Sequence, residues 1–471
     1  MFVATSLLIL IMFSPLVVVR TVGAVRAVGP TWDRTYLPVD FGKGSVEQTT
    51  SGGFIISALS RFGGLWVMKA NAAGMPESQR EYTPAGYSLC CDSTTHTVRQ
   101  TSDGGYIVIG TALSAGYVTG FDGWILKLNH KGSVEWSKTY GGTNDDVLVS
   151  GGQTSDGGYV VAGNTQSFGS PGRNSNGWLL KLDPEGIIVW QEAFGGQEVH
   201  SVDQTSDGGF IAAGTVGVAG EADPWLVKLD SGGQVEWQKA YDFRTSSDGR
   251  LIQGAYSAHQ TTDGGYIAVG EKITLEPAGG FLASVTVILR VDHDGDILWL
   301  DSYSGGGRAT PSSVEQGSDG GFIIAGRFMQ GYAGFGGPLI GISGPWLLRL
   351  DYSGDLLWQK IYGRENDLLL QAQQTKDGGI IAVGSMVGSA PNCCDNLAWA
   401  LKLDANGSIR GCPVGVPSNA TMTDIDSIVV DTAMMPVDTN ATVTPVDVTV
   451  TTPTFHTRDQ CTALPNKNES Q

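Results

Sequence analysis

The stretch Gln100-Thr-Ser-Asp103-Gly-Gly-Tyr-Ile-Val-Ile-Gly110 occurs in seven variant copies along the chain, and this repetition decides the fold. Each copy has a Gln, usually followed by Thr, then Asp-Gly-Gly and a short β-rich run. The first copy is the loosest and has Ser51 in place of the Asp. A fixed period of this size is typical of a repeat architecture. The anchor glutamines, spaced 51 to 58 residues apart, are Gln48, Gln100, Gln153, Gln204, Gln260, Gln316 and Gln374.

Each repeat divides into four strand-sized runs. In the third copy the first run ends at Gln153, and an Asp156-Gly157 turn joins it to the second, Tyr159–Gly163. Asp-Gly between β-forming runs is a strong hairpin signal. The third and fourth runs are Trp178–Asp183 and Ile187–Phe194. Four short antiparallel strands per repeat predict an all-β, seven-bladed β-propeller over residues 30–412.

The tryptophans support this division. One lies five residues before the end of most third strands, and another lies seven residues after it. The last repeat has Gly411 at the second position, whereas Trp32-Asp-Arg-Thr-Tyr36 matches the fourth-strand pattern Trp136-Ser-Lys-Thr-Tyr140. We therefore predict that the N-terminal strand, at about residues 30–37, supplies the outer strand of the last blade and closes the ring. We interpret the tryptophans as packing residues whose N–H groups find backbone acceptors.

The run Trp178-Leu-Leu-Lys-Leu-Asp-x-x-Gly-x-x-x-Trp190 resembles the tryptophan-docking repeat of pyrroloquinoline-quinone-type (PQQ-like) β-propellers. The whole unit is similar to secreted or surface repeat proteins of prokaryotes whose function is undefined. The resemblance covers about 380 residues and implies the propeller fold. It implies little about activity.

Composition and the N-terminus bear on location. The net charge of −18 argues against nucleic acid or an anionic membrane surface as a partner. Residues 2–19 are almost wholly apolar, and small residues follow at Val22-Gly-Ala24 and Val25-Arg-Ala27. Residues 1–27 thus predict a signal peptide or, since no Lys or Arg precedes the apolar run, an uncleaved N-terminal anchor. On either interpretation the protein is secreted or on the cell surface, with membrane contact only through that anchor.

Six cysteines in an exported chain indicate disulfides. The simplest pairing joins Cys412 to Cys461 around the C-terminal tail. The adjacent pairs Cys90-Cys91 and Cys393-Cys394 form either vicinal disulfides or bonds to each other across blades. The sequence leaves these alternatives open.

The composition changes to Thr, Val, Asp and Pro after residue 412. Residues 419–453 fall into loose units of seven, with Asn419-Ala-Thr-Met-Thr matching Asn440-Ala-Thr-Val-Thr. We interpret residues 413–471 as an extended stalk or spacer. Asn-x-Ser/Thr glycosylation patterns begin at Asn406, Asn419, Asn440 and Asn468.

The loops between second and third strands vary most, and variable loops on a rigid scaffold usually carry binding sites. The sixth is the longest, and it contains more aromatic residues than is usual for a surface loop. Its candidate ligand-binding residues are Arg327, Phe328, Tyr332 and Phe335. The alternative is that Phe328 and Phe335 pack over the end of a blade.

A second candidate site is the mouth of the axial channel. The residues just before the anchor glutamines are variable and mostly polar, and with two upstream histidines they bring carboxylates and imidazoles together. These channel-mouth candidates are Glu47, His96, Arg99, His200, Asp203, His259 and Glu315. Their spacing matches no metal motif, and Asp292-His-Asp294-Gly-Asp296 is better interpreted as a strand-connecting turn than as a calcium loop. We therefore predict no metal and no cofactor.

The sequence favours a non-enzymatic extracellular scaffold that binds a protein or a glycan through its variable-loop face. The alternative is an enzyme with its site at the channel mouth, either polysaccharide-active or a quinoprotein dehydrogenase. The resemblance to PQQ enzymes would bring the quinone and calcium with it, since those enzymes hold a vicinal disulfide over the cofactor. This chain has seven repeats rather than eight and no matching Glu-Asn-Asp set, which weighs against that form.

Overall fold

The computed structural model describes residues 29–411 except 38, 61–63, 89–94, 115–119, 170–174, 196, 219–220, 243–250, 276–280, 305–306, 331–342, 365–366 and 387–396, together with seven short tail segments. All regular elements in these residues are β-strands. The strands up to the third repeat are β1 (Trp32–Leu37), β2 (Val39–Gln48), β3 (Phe54–Ser60), β4 (Leu65–Ala70), β5 (Pro76–Pro84), β6 (Tyr87–Ser88), β7 (Thr95–Gln100), β8 (Tyr106–Ser114), β9 (Phe121–Leu128), β10 (Val134–Gly141), β11 (Asp146–Gln153), β12 (Tyr159–Thr165), β13 (Asn176–Leu182) and β14 (Ile188–Gly195).

The strands of the remaining repeats follow the same pattern. They are β15 (Gln197–Gln204), β16 (Phe210–Val218), β17 (Glu221–Leu229), β18 (Val235–Asp242), β19 (Leu251–Gln260), β20 (Tyr266–Leu275), β21 (Phe281–Val291), β22 (Ile297–Ser304), β23 (Gly307–Gln316), β24 (Phe322–Gln330), β25 (Ser343–Leu350), β26 (Leu356–Ile361), β27 (Leu368–Gln374), β28 (Ile380–Met386) and β29 (Leu397–Leu403). The tail strands are β30 (Val416–Pro417), β31 (Thr421–Asp424), β32 (Ile428–Asp431), β33 (Val437–Asp438), β34 (Thr442–Pro445), β35 (Val448–Thr451) and β36 (His456–Asp459).

The repeats form four-stranded antiparallel sheets, the blades of a β-propeller. Each begins with an inner strand that ends at an anchor glutamine and proceeds outward in chain order. The blades are β2-β3-β4-β5, β7-β8-β9-β10, β11-β12-β13-β14, β15-β16-β17-β18, β19-β20-β21-β22, β23-β24-β25-β26 and β27-β28-β29-β1. The prediction of an all-β propeller of four-stranded blades is confirmed.

The hairpin between the first two strands of a blade is built by its Asp-Gly-Gly. In the second repeat Thr101 N donates to Gly105 O and Gly104 N donates to Thr101 O, both at 2.9 Å. Gly104 has φ +78°, a left-handed conformation that glycine adopts without steric cost. Asp103 Oδ1 accepts the Gly105 N–H at 2.8 Å. The same two backbone bonds recur in the hairpins of the other repeats.

A buried cation lies under most of these hairpins. The Lys127 side chain is 4% exposed, and its Nζ lies 2.8 Å from Asp103 Oδ2. Burial acts to raise the pKa of Asp103, but hydrogen bonds from Lys127, Thr101 and the Gly105 N–H, with the Lys127 charge, together bring it down to about 2. The equivalent pairs are Lys181–Asp156, Lys228–Asp207, Arg290–Asp263, Arg349–Asp319 and Lys402–Asp377. The hairpin aspartate thus closes a turn and neutralises a desolvated charge.

The hydrophobic core lies between neighbouring blades, and the outer strands fasten them together. Trp136 Nε1 donates to Pro184 O at 3.2 Å, and Tyr140 Oη donates to Gly186 O at 2.7 Å, both in the turn of the next blade. Backbone acceptors were predicted for the tryptophans, and they are found for this one. They also serve Trp32, Trp237 and Trp358. Trp124, Trp346 and Trp399 instead donate to side chains.

The N-terminal strand is the outer strand of the blade that contains β27, β28 and β29. β1 pairs antiparallel with β29, with Trp32 opposite Lys402 and Tyr36 opposite Ala398. Trp32 Nε1 donates to Ala72 O of the first repeat at 3.0 Å. The predicted role of this strand as an outer strand is therefore found, and its aromatic side chains reach the first repeat.

The described tail segments lie along the blades. Each pairs antiparallel with an outer strand and so adds a fifth strand to that sheet. Composition alone suggested a stalk or spacer, but it carries no information about pairing with a distant edge. The six cysteines and Asn419, Asn440 and Asn468 lie outside the described residues. Over the described part of the chain there is no helix with the length and apolar character needed to span a membrane.

Candidate functional site

The inner strands enclose a polar axial cavity of about 860 Å³. It is lined from every repeat, by residues of β2, β7, β11, β15, β19, β23 and β27. Near the hairpins the lining is charged, and further along the strands it carries serine, tyrosine and histidine side chains. These layers follow from the position of each residue relative to its anchor glutamine.

The anchor glutamines frame one end of the cavity. Gln204 Oε1 accepts the Ser155 N–H of the preceding hairpin at 2.7 Å, and its Nε2 donates to Gly208 O of its own hairpin at 3.3 Å. The Oε1 bond recurs for Gln48, Gln100, Gln153, Gln260, Gln316 and Gln374. In the first repeat the donor to Gln48 is Lys376 N of the last repeat, at 2.7 Å. The glutamine clamp therefore joins hairpin to hairpin, including the last to the first.

A second layer, three residues before each anchor glutamine, also joins neighbouring strands. Ser201 Oγ accepts the Ala258 N–H of the next inner strand at 3.1 Å. Ser150, Ser257 and Ser313 make equivalent bonds, and Gln371 Oε1 accepts the Val46 N–H across the first and last repeats. Sequence reasoning missed these serines, although their fixed offset from the glutamine was available as a signal.

A β-bulge in each inner strand sets a third layer. The register shifts between Val199 and Ser201, so His200 is the extra residue. Its Nε2 lies 3.2 Å from Thr215 Oγ1, and its ring meets Tyr256, the bulge residue of the next repeat, at 5.6 Å. Burial lowers the pKa of His200 to about 4, so the imidazole is neutral at pH 7. His200 is therefore a wall residue, separated from the charged groups by the serine layer.

The charged layer lies one residue before the glutamines, at the hairpin end of the cavity. His259 Nδ1 and Asp203 Oδ2 are 2.9 Å apart. Glu47 accepts the Gln100 backbone N–H of the next repeat. Arg99 interacts electrostatically with Glu47, Asp203 and Glu315. The structure thus brings together five of the seven channel-mouth candidates, and we call Glu47, Arg99, Asp203, His259 and Glu315 the channel-mouth cluster.

The cluster separates the acidities of its carboxyl groups. Burial raises the pKa of Glu315 to about 7, and the charges of Glu47 and Asp203 reinforce the shift against His259 and Arg99. Burial also acts to raise the pKa of Asp203, but the hydrogen bond from His259, the charges of His259 and Arg99 and the Gln204 N–H together outweigh it and lower the pKa overall. At neutral pH the mouth therefore holds a carboxylate beside a carboxyl group that exchanges its proton.

Two of the four candidate loop residues, Arg327 and Phe328, lie among the described residues. Phe328 is fully buried and packs 6.1 Å from Trp346, centroid to centroid, so the packing alternative holds for this side chain. Arg327 is half-buried in β24, at the edge of the sixth loop. Tyr332 and Phe335 lie outside the described residues, as does the side chain of His96. Ligand binding by these loop residues stays a prediction.

Two further expectations concern turns and metals. Asp292 Oδ1 accepts the N–H groups of Asp294 and Asp296 at 3.0 and 2.9 Å, which makes this segment a strand-connecting turn as predicted. Asn406 lies exposed in the corresponding turn of the last repeat. Among the described residues no group of three or more His, Cys, Asp and Glu side chains is placed to hold a metal ion.

Comparison with known proteins gives fold-level likenesses only. No family model and no curated protein matches the chain. A crystal structure of the eukaryotic initiation factor aligns with TM-score 0.36 and 10% identity over 85% of this chain and 98% of its own. Sqt1 from Chaetomium thermophilum gives 0.40 and 12% over 78% and 99%. The subtype N11 neuraminidase-like protein of A/flat-faced bat/Peru/033/2010 (H18N11) gives 0.33 and 12% over 69% and 94%. At these scores the likenesses carry no argument about function.

The raised pKa of Glu315 predicts a pH-dependent stability. A carboxyl group whose pKa is higher in the folded state stabilises the fold below its unfolded value of 4.5, and this contribution is lost as the pH rises through about 7. Glu315→Gln should therefore match the wild type at pH 4.5 and exceed its free energy of unfolding by about 2 kcal/mol at pH 8. Urea unfolding at both pH values measures this. Glu185→Gln, in an exposed turn, controls for removing one charge from an acidic chain, and an equal gain there would contradict the assignment.

Proposed function

We propose that this protein is a non-enzymatic extracellular scaffold that binds a protein or a glycan through the face carrying the connections between second and third strands. The proposal rests on one observation: the two ends of the blades differ in how constant they are. At one end the hairpins 49–53, 101–105 and their equivalents through 375–379 share length and hydrogen bonds. At the other end the connections differ in length, the shortest being residues 219–220 and the longest residues 331–342. A rigid frame with variation confined to one face is typical of a recognition surface.

The frame we propose is a closed ring of seven blades. Its support at the junction of the first and last repeats is the bond from Lys376 N to Gln48 Oε1 and the contact of Trp32 with the first repeat. A core cluster also mixes side chains of β1, β3, β28 and β29. The tryptophan docking between blades supports placing the chain with PQQ-like repeat propellers, and the apolar residues 2–19 support export to the cell surface or medium.

The sixth connection is the best place to test binding. It is the longest of the second-to-third-strand connections, and Arg327 lies half-buried in the strand that leads into it. Replacing Arg327, Tyr332 and Phe335 together by alanine should abolish binding on a glycan array or in a pull-down from extracellular proteins, without changing the melting temperature. Tyr352→Ala is the matched control, since this aromatic side chain is 73% exposed at the opposite end of a blade. Binding that survives the triple change would refute this choice of loop.

The channel-mouth cluster favours a second candidate, an enzyme that cleaves glycosidic bonds. A protonated Glu315 would donate its proton to the leaving oxygen, and the Asp203 carboxylate would take a proton from the attacking water or attack the sugar carbon itself. The separated acidities of these two groups in one cavity are the specific support. A quinoprotein dehydrogenase has less support, because the resemblance brings no matching ligand set for quinone and calcium.

Release of reducing ends from a panel of polysaccharides tests the second candidate. If it is right, Glu315→Gln and Asp203→Asn should each lower turnover by about 100-fold or more, while His200→Gln, beyond the serine layer, should change it little. No product from any substrate, or product formation unaffected by both changes, would contradict it. Dye-linked alcohol or sugar oxidation after adding the quinone and calcium would instead support the quinoprotein form.

A further inference from the structure

We infer that the outer edges of the blades form one strand-binding surface around the propeller, and that its ligand is the chain's own tail, which binds as a single multivalent belt. The belt is defined as β30 to β36. It goes beyond the proposed binding function and does not depend on it.

The belt visits the blades in strict reverse order of the repeats. β30 pairs with β26, β31 with β22, β32 with β18, β33 with β14, β34 with β10, β35 with β5 and β36 with β1. Every pairing is antiparallel. Arg410 N, just before the belt, donates to Thr31 Oγ1 at 3.0 Å, and β36 at its end pairs with β1. The belt therefore starts and finishes at the same N-terminal segment after one circuit.

The strand register shows that the tail pairs with successive blades at intervals of seven residues. Each outer strand has a Trp position, occupied by Ser78 in the first repeat and by Trp136 in the second. The reference position lies three residues after it. Its tail partners are spaced by seven residues at every step. The pairs are Ile361–Val416, Ser302–Thr423, Ala240–Val430, Ala193–Val437, Thr139–Thr444, Glu81–Thr451 and Thr35–Arg458.

A constant step has a physical reason. Seven residues of extended chain reach at most about 25 Å, which limits how far apart two successive paired positions can lie. The seven-residue units seen in the sequence thus have the same period as the pairing of the tail with successive blades. Each segment pairs over only a few residues, two in β30 and four in β31. A strand this short is marginal alone, and its effective concentration is set by the neighbouring units.

The last unit has a task that the others lack. β5 follows β4 through a tight turn, with Asn71 N bonded to Met75 O, so it is held by its own repeat. β1 has no such turn and reaches β29 only by pairing across the chain. β36 covers the free edge of β1, giving the sheet order β27-β28-β29-β1-β36. The belt thus secures the strand that joins the two ends of the chain, and it covers sheet edges that would otherwise template aggregation.

Deleting one seven-residue unit tests whether the length of the tail decides which outer strand each belt strand reaches, and a length-matched replacement is the control. Removal of residues 432–438 shortens the belt by one step, so the final strand should stop at β5 and leave β1 uncovered. Hydrogen–deuterium exchange of the β1 amides should then be at least 10-fold faster, with a lower melting temperature. Replacing 432–438 by seven Gly and Ser residues keeps the length, so only β14 should lose protection. Equal β1 protection in both variants, or equal loss in both, would overturn the inference.

A chain ending at residue 455 provides a second test that does not depend on the deletion. Of the belt strands it lacks only β36, and the β1 amides should exchange as fast as in the deletion variant while β5 and β10 stay protected. Unchanged β1 exchange would again overturn the inference. The deletion and replacement variants are measured with and without dithiothreitol, so that a bond between Cys412 and Cys461 does not mask loss of strand pairing; the chain ending at residue 455 has no Cys461 and needs no such control.

Discussion

The side-chain amide of the anchor glutamine is the interaction on which the rest of the structure depends. Its oxygen accepts a backbone N–H of the neighbouring hairpin, and its NH₂ group donates to a carbonyl of its own hairpin, as Gln204 shows. A carboxylate has no donor for the second bond, and Asn is one methylene shorter, so the position requires Gln. Because Lys376 N completes the same bond to Gln48, the clamp passes from the last repeat to the first.

The functional features follow from this clamp. Once the hairpins are joined, the residues one, three and four positions before each glutamine fall into layers around one cavity, and the residue types in each layer set its chemistry. The channel-mouth cluster is one such layer, and burial in it gives Glu315 its raised pKa. The clamp lies at the hairpin end of the blades, and the second-to-third-strand connections at the opposite end differ in length. The belt adds constraint from outside, where the outer strands would otherwise end as open edges.

The fold could be predicted from the sequence because its determinants are local and repeated. The hairpin residues, the strand periods and the docking tryptophans recur at fixed offsets, and the match of Trp32 to Trp136 was enough to place β1. The site was harder. Asp203 and His259 lie on neighbouring repeats, so their 2.9 Å contact depends on how those two blades pack, and no sequence spacing marks it. The buried lysines, such as Lys127, resemble surface residues until their hairpin partners are known. The tail shows its sevenfold units in the sequence, but the edge that those units measure is visible only in three dimensions.

The most direct measurement compares the glutamine clamp at the junction of the first and last repeats with the same clamp inside the chain. Gln48→Ala and Gln204→Ala each remove one bond of 2.7 Å to the neighbouring hairpin and one of 3.3 Å to their own. In urea unfolding both should lower the free energy of unfolding by about 1–3 kcal/mol, by similar amounts and in one cooperative transition. A loss for Gln204→Ala with none for Gln48→Ala would mean that the ring is not joined there, and would contradict the account.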